Sequence, residues 1–146
     1  MAEAQDAEAV GDRSKPPWLN QRSIELRLDA DTVYDLLVSR GLDDWLQPAD
    51  FFDLARYYGP MTEEQYRSEA VALARRLLLE GHAVAGDIVD EEHRPWSGSV
   101  DDQLARVTAL WSDSDVDPRF EFVWFDLTEL GRRVAAEALD RLPDLG

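Results

Sequence analysis

The stretch Phe120-Glu121-Phe122-Val123-Trp124-Phe125-Asp126-Leu127-Thr128-Glu129-Leu130-Gly131-Arg132-Arg133 constrains the fold more than any other part of the chain. Large aromatics recur at every second position from Phe120 to Trp124, the period of a strand with one buried face. Thr128 then offers a side-chain oxygen to a helix N-terminus, and Val134, Ala135, Ala138 and Leu139 continue as the inward positions of a helix to about Arg141. A strand that hands over directly to a capped helix needs a sheet with a helix packed beside it. Trp124 shares its face with Phe120 and Phe122 and is expected in the core, with Val123 and Phe125 pointing the other way.

The remaining elements follow from caps and periodicity. Residues 1–20 are polar, Ala-rich and interrupted by Pro16-Pro17, which suits a disordered tail ahead of a single domain over 21–146. Arg22–Leu28 alternates as a short strand. Asp29 or Asp31 caps a helix to about Arg40, with Val33, Leu36 and Leu37 inward and Gly41 as its terminator. Pro48 opens a second helix carrying Phe51, Phe52, Leu54, Ala55 and Tyr58, stopped by Gly59-Pro60. Thr62 and Gln65 form a capping box for a third, from about 62 to 80, closed by Gly81. His82–Val89 reads as a strand, Asp90–Gly98 as a charged loop, and Ser99–Ser112 as a helix with Leu104, Val107, Leu110 and Trp111 on one side. The fold class is α+β, mostly helical with a small antiparallel sheet.

The strand ending in Leu127-Thr128-Glu129-Leu130-Gly131 and the helix after it resemble the segment that closes the wing in winged-helix transcription regulators of the MarR and PadR type. The resemblance is specific over about 119–135 and topological over 31–89. It implies that the helix at 62–80 occupies the recognition position and that 82–125 forms a wing, here with a helix inserted at 99–112. In that frame Arg67, Arg75, Arg76 and Arg132 are the residues that would meet DNA phosphates. Scattered positions, among them Gly81-His82-Ala83-Val84-Ala85-Gly86-Asp87, Pro95-Trp96, Trp111 and Trp124, also resemble small acidic actinobacterial proteins.

Charge argues against DNA. Thirty-one acids face fourteen Arg and one Lys, a net charge of −16, whereas phosphate neutralisation needs a basic face. Even the recognition-position helix is not net basic, and the pairs Glu63–Arg67 and Arg76–Glu80 have the i,i+4 spacing that ties arginines to neighbouring acids. A surface of this sign attracts basic partners.

Other chemistries find little support. With no cysteine, disulfides and thiolate zinc sites are excluded. Asp113-Ser114-Asp115-Val116-Asp117 lacks the glycine and distal acid of an EF-hand loop, since those positions hold Pro118 and Trp124. His82 and His93 have no metal-ligand spacing, and Ser97-Gly98-Ser99 is not a nucleophile elbow. No cofactor motif is present. No apolar run approaches ~18 residues, and Met1–Val10 is unlike a signal peptide, so a cytoplasmic chain without a membrane span is expected. The sequence thus leads to a non-enzymatic binding module for a basic protein, such as the nuclease or toxin faced by an immunity protein or antitoxin, with dimerisation through the terminal helices as a further mode. Acids flanking large aromatics suit such an interface, which selects Asp43, Asp44, Trp45, Asp50, Glu91, Glu92 and Trp96. The alternative is a winged-helix regulator on DNA.

Overall fold

The computed structural model describes residues 28–58, 62–113 and 123–142. Among them are five α-helices and a three-stranded antiparallel sheet, in the order α1 (Ala30–Arg40), α2 (Pro48–Ala55), α3 (Glu63–Leu79), β1 (Ala83–Val89), β2 (Glu92–Pro95), α4 (Val100–Ser112), β3 (Trp124–Leu127) and α5 (Glu129–Arg141). A 3-10 turn, Arg56–Tyr58, extends α2. The fold is therefore α+β with a small antiparallel sheet. The tail, most of the first expected strand, Gly59-Pro60 and residues 114–122 lie outside the described residues.

Local chemistry starts each helix where the sequence places it. Asp29 accepts from the Thr32 amide at 2.7 Å. Thr62 with Gln65 and Ser99 with Asp102 form reciprocal capping boxes, and Thr128 accepts from the Gly131 amide. Each satisfies amides that a helix start leaves without partners. Gly81, at φ +73°, ends α3 in the left-handed region that glycine adopts without strain.

The sheet runs β2-β1-β3. Two sequence expectations change here. Asp90–Gly98 is not a loop throughout: Glu92–Pro95 pairs with β1, from Val89 opposite Glu92 to Gly86 opposite Pro95. Asp90 and Glu91, at φ 52° and 66°, form the two-residue turn between the strands, a conformation usually supplied by Asn-Gly. The face of β3 is also reversed. Val123 and Phe125 are fully buried and Leu127 nearly so, while Trp124 is only half-buried. Phe125 lies 4.9 Å from the Phe51 ring and 6.2 Å from Trp111, inside a cluster that Phe52 completes at 5.6 Å from Trp111. Two aromatics in succession, Trp124 and Phe125, satisfy period two in either phase. Packing selects the ring that fits between α2 and α4.

Leu127-Thr128-Glu129-Leu130-Gly131 acts as a fastening. The Thr128 hydroxyl donates to the Gly81 carbonyl at 2.7 Å, and its amide donates to the His82 carbonyl at 3.0 Å. A Cβ at Gly131 would lie 1.9 Å from that same carbonyl oxygen, so only glycine lets α5 approach the start of β1. α5 packs along α1, where Arg141 forks onto Asp35 at 2.9 and 3.3 Å. The helical period places Leu139 inward, yet it is 52% exposed; Ala135 and Ala138 are fully buried, so α5 buries a narrow stripe. His82 is buried with its Nδ1 2.7 Å from the Tyr34 hydroxyl, which joins α1 to β1.

Candidate interaction face

A single bridge determines which side chains share the outer face of the sheet. Between α1 and α2, Leu46 pairs with Phe125 through two backbone hydrogen bonds of 2.9 Å. Both side chains are fully buried. Alternation along an extended backbone therefore sends their neighbours, Trp45 and Trp124, to the opposite side. The two indoles meet edge to face at 6.1 Å and 83°.

His93 completes the group from across the sheet. β1 lies between β2 and β3, and at its centre Gly86 faces Pro95 on one side and Trp124 on the other. With no side chain in the way, the His93 ring passes over β1 and its Nε2 lies 2.8 Å from the Trp124 carbonyl. A carbonyl only accepts, so Nε2 carries the proton in this bond. A Cβ at Gly86 would stand 2.7 Å from His93 Cε1 and 2.2 Å from the Arg94 carbonyl oxygen. His93 also packs on Trp45, ring to ring at 6.4 Å. Gly86 is thus what allows the imidazole to tie the two tryptophans together.

Carboxylates border this aromatic group. Asp43 and Asp44 are exposed, and Asp44 Oδ1 accepts from the Trp45 amide at 2.8 Å, which fixes the carboxylate beside the indole. Asp126 projects on the same outer side of β3 as Trp124 and binds Arg132 at 3.3 Å. A shallow notch of about 270 Å³ is lined by Gly41, Leu42, Asp43, Asp44, Trp45, Asp126 and Arg132. At the far end of the sheet the turn exposes Glu91 and Glu92, with Arg94 3.7 Å from Glu92.

The residues picked out in the sequence separate into two groups. Asp43, Asp44 and Trp45 stand together on this face with Arg132 among the acids; Glu91 lies in the hairpin turn, and Glu92, next to His93 on β2, alternates to the opposite side. Asp50 is engaged internally: it accepts from the Gln47 amide at 2.9 Å at the start of α2 and pairs with Arg40 at 3.2 Å. Trp96 is no exposed anchor, being 8% exposed beneath Arg106, whose guanidinium sits 3.8 Å from the ring centre. Gly86, His93, Trp124 and Asp126 join this face only through the fold. A glycine inside a strand was the available signal, since it marks close approach of another group.

The arginines of α3 are not a uniform exposed row. Arg67 is only 5% exposed. It donates to the Trp111 carbonyl at 2.9 Å, in the last turn of α4 where carbonyls lack helical partners, and pairs with Glu63 at 2.9 Å. Arg76 lies 4.0 Å over the Tyr34 ring and binds Asp31 at 3.0 Å and Glu80 at 3.6 Å. Arg75 is exposed. A larger cavity of about 460 Å³ between α3 and α4 is lined by Arg67, Glu63, Glu64, Ser68, Val71, Thr108 and Ser112. No group of three or more His, Asp or Glu able to hold a metal occurs among the described residues, and His82 and His93 serve different contacts. No described helix is long and apolar enough to cross a membrane. Compared with protein-family profiles, curated proteins and solved structures, the chain matches none.

Proposed function

We propose that this chain is a non-enzymatic binding module that receives a basic protein on its acidic, aromatic sheet face, in the way an immunity protein or antitoxin receives a nuclease or toxin. The observation that carries the reading is the Trp45–Trp124–His93 group, held in place by a strand bridge and bordered by Asp43, Asp44 and Asp126. Tryptophan is among the residues most enriched in binding hot spots. A net charge of −16 adds long-range attraction for a cationic partner. A winged-helix-like reading of the scaffold draws support from three helices ahead of a small antiparallel sheet, with α4 inserted before the last strand.

Affinity capture from host lysate, comparing the native chain with a Trp45→Ala/Asp44→Lys variant, tests the proposal. A basic protein retained in stoichiometric amount by the native chain and lost with the variant is expected. Recovery of no such protein, or equal recovery with both, overturns it. The DNA-binding alternative has one structural point in its favour, the exposed Arg75. Arg67, Arg76 and Arg132 already hold acids of their own chain, and Glu63, Glu64, Glu69 and Glu80 share the helix with Arg75. Duplex DNA should therefore show no binding at physiological salt. Binding abolished by Arg75→Glu would support a regulator instead.

A further inference from the structure

We infer that the notch beside Trp45 is an arginine-selective anchor, in which a guanidinium from the partner stacks on the Trp45 indole and forks between Asp44 and Asp126. This rests on the binding-module reading and specifies its chemistry.

Three observations converge on a guanidinium. First, the notch holds three carboxylates, Asp43, Asp44 and Asp126, against one cation, Arg132. Asp43 and Asp44 form no ion pair among the described residues. Asp44 Oδ1 is engaged by the Trp45 amide and Asp126 Oδ1 by Arg132, and Oδ2 of each accepts no hydrogen bond among the described residues. Two carboxylates lining one notch beside an indole match the planar, forked donor set of arginine better than the point charge of lysine.

Second, Arg132 shows that a guanidinium fits here. It reaches Asp126 while remaining about half exposed, with side-chain exposures of 53% and 35% for the pair. An exposed pair of this kind is weak and screened, so an incoming arginine can share or displace it.

Third, among the described residues arginine lies over an aromatic face at two other places, Arg106 on Trp96 at 3.8 Å and Arg76 on Tyr34 at 4.0 Å. Trp45 is half-buried with Asp43 and Asp44 beside it, and carries no arginine over its ring among the described residues. Charge complementarity commits the site to a basic side chain, and the indole with two carboxylates narrows it to arginine.

The test uses the full chain with indole N–H resonances observed by NMR, titrated with three blocked peptides: Gly-Arg-Gly, Gly-Lys-Gly and Gly-citrulline-Gly. Citrulline keeps the shape of arginine without its charge. Saturable shifts of the Trp45 indole with the arginine peptide at millimolar concentrations are expected, weaker with lysine and absent with citrulline. Two variants should move affinity in opposite directions, each by roughly two- to five-fold, the range an exposed charge pair supports. Asp44→Asn weakens binding, whereas Arg132→Ala strengthens it by removing the internal competitor for Asp126. Loss of packing alone cannot produce a gain. Equal shifts with citrulline, no shift up to on the order of 10 mM peptide, or weakening by Arg132→Ala overturns the inference. The two proposals fail separately. A captured partner insensitive to Asp44→Asn and Trp45→Phe removes the anchor but leaves the module; arginine binding with no captured partner does the reverse.

Discussion

Replacing Phe125 with alanine removes a fully buried ring from the meeting point of three elements: β3, the Phe51 ring of α2 at 4.9 Å and the Trp111 ring of α4 at 6.2 Å. The cavity and the lost transfer free energy together cost about 3–5 kcal/mol. Loss of the two ring contacts places the value toward the upper end, since aromatic pairs are worth ~0.5–1.5 kcal/mol beyond the area they bury. The neighbouring change, Trp124→Ala, removes a larger side chain but leaves the core intact. Its half-buried indole packs edge to face on Trp45 outside the core, and its loss costs about 1–2 kcal/mol. Urea denaturation followed by far-UV circular dichroism, which needs no tryptophan emission, compares the two directly. With a slope of about 1–3 kcal/mol per molar urea, the midpoints should separate by roughly 1 M or more, Phe125→Ala unfolding first. A Trp124→Ala midpoint at or below that of Phe125→Ala refutes the strand phase, and with it the placement of Trp124 on the outer face.

Gly131→Ala forces a methyl group into the His82 carbonyl and should destabilise by more than about 2 kcal/mol, against the small gain alanine gives in an unstrained helix; thermal melts decide the sign. Gly86→Ala should displace the His93 ring, seen as loss of the Nε2-protonated imidazole signal by NMR and as altered Trp45 and Trp124 indole shifts; unchanged spectra contradict the crossing over β1. Burial holds the Tyr34 hydroxyl well above the ordinary tyrosine value. Its folded pKa exceeds the unfolded one, so the stability it contributes is present below about pH 10 and lost as pH rises, the unfolded chain ionising first. Tyr34→Phe should lower stability near neutrality, by stranding the His82 Nδ1 bond, yet flatten the alkaline decline measured by melting at successive pH values.

Helix starts were legible because their determinants are local: Thr62 with Gln65, Ser99 with Asp102 and Thr128 each act within four residues. What escaped depends on distant partners. Glu92–Pro95 is charged and ends in proline, so its strand character comes from β1 and not from its own composition. The Asp90-Glu91 turn carries no glycine to announce it. Arg67 looks like a surface residue until the Trp111 carbonyl, 44 positions away, is brought beside it. The candidate site was half legible for the same reason. Asp43-Asp44-Trp45 announces itself as acids beside an indole, but its pairing with Trp124 exists only once Leu46 meets Phe125.

That bridge also orders events in time. Residues 46 and 125 stand far apart in the chain, and contacts of such separation form late because a long loop must close first. During synthesis, Trp45 leaves the ribosome long before Trp124, so the surface the two indoles form cannot exist while most of the chain is already outside. Until β3 arrives, one edge of β1 has its amides and carbonyls exposed, the geometry that invites pairing with another chain. A nascent or truncated protein ending before Val123 would lack its proposed binding face and would carry an open strand edge prone to self-association.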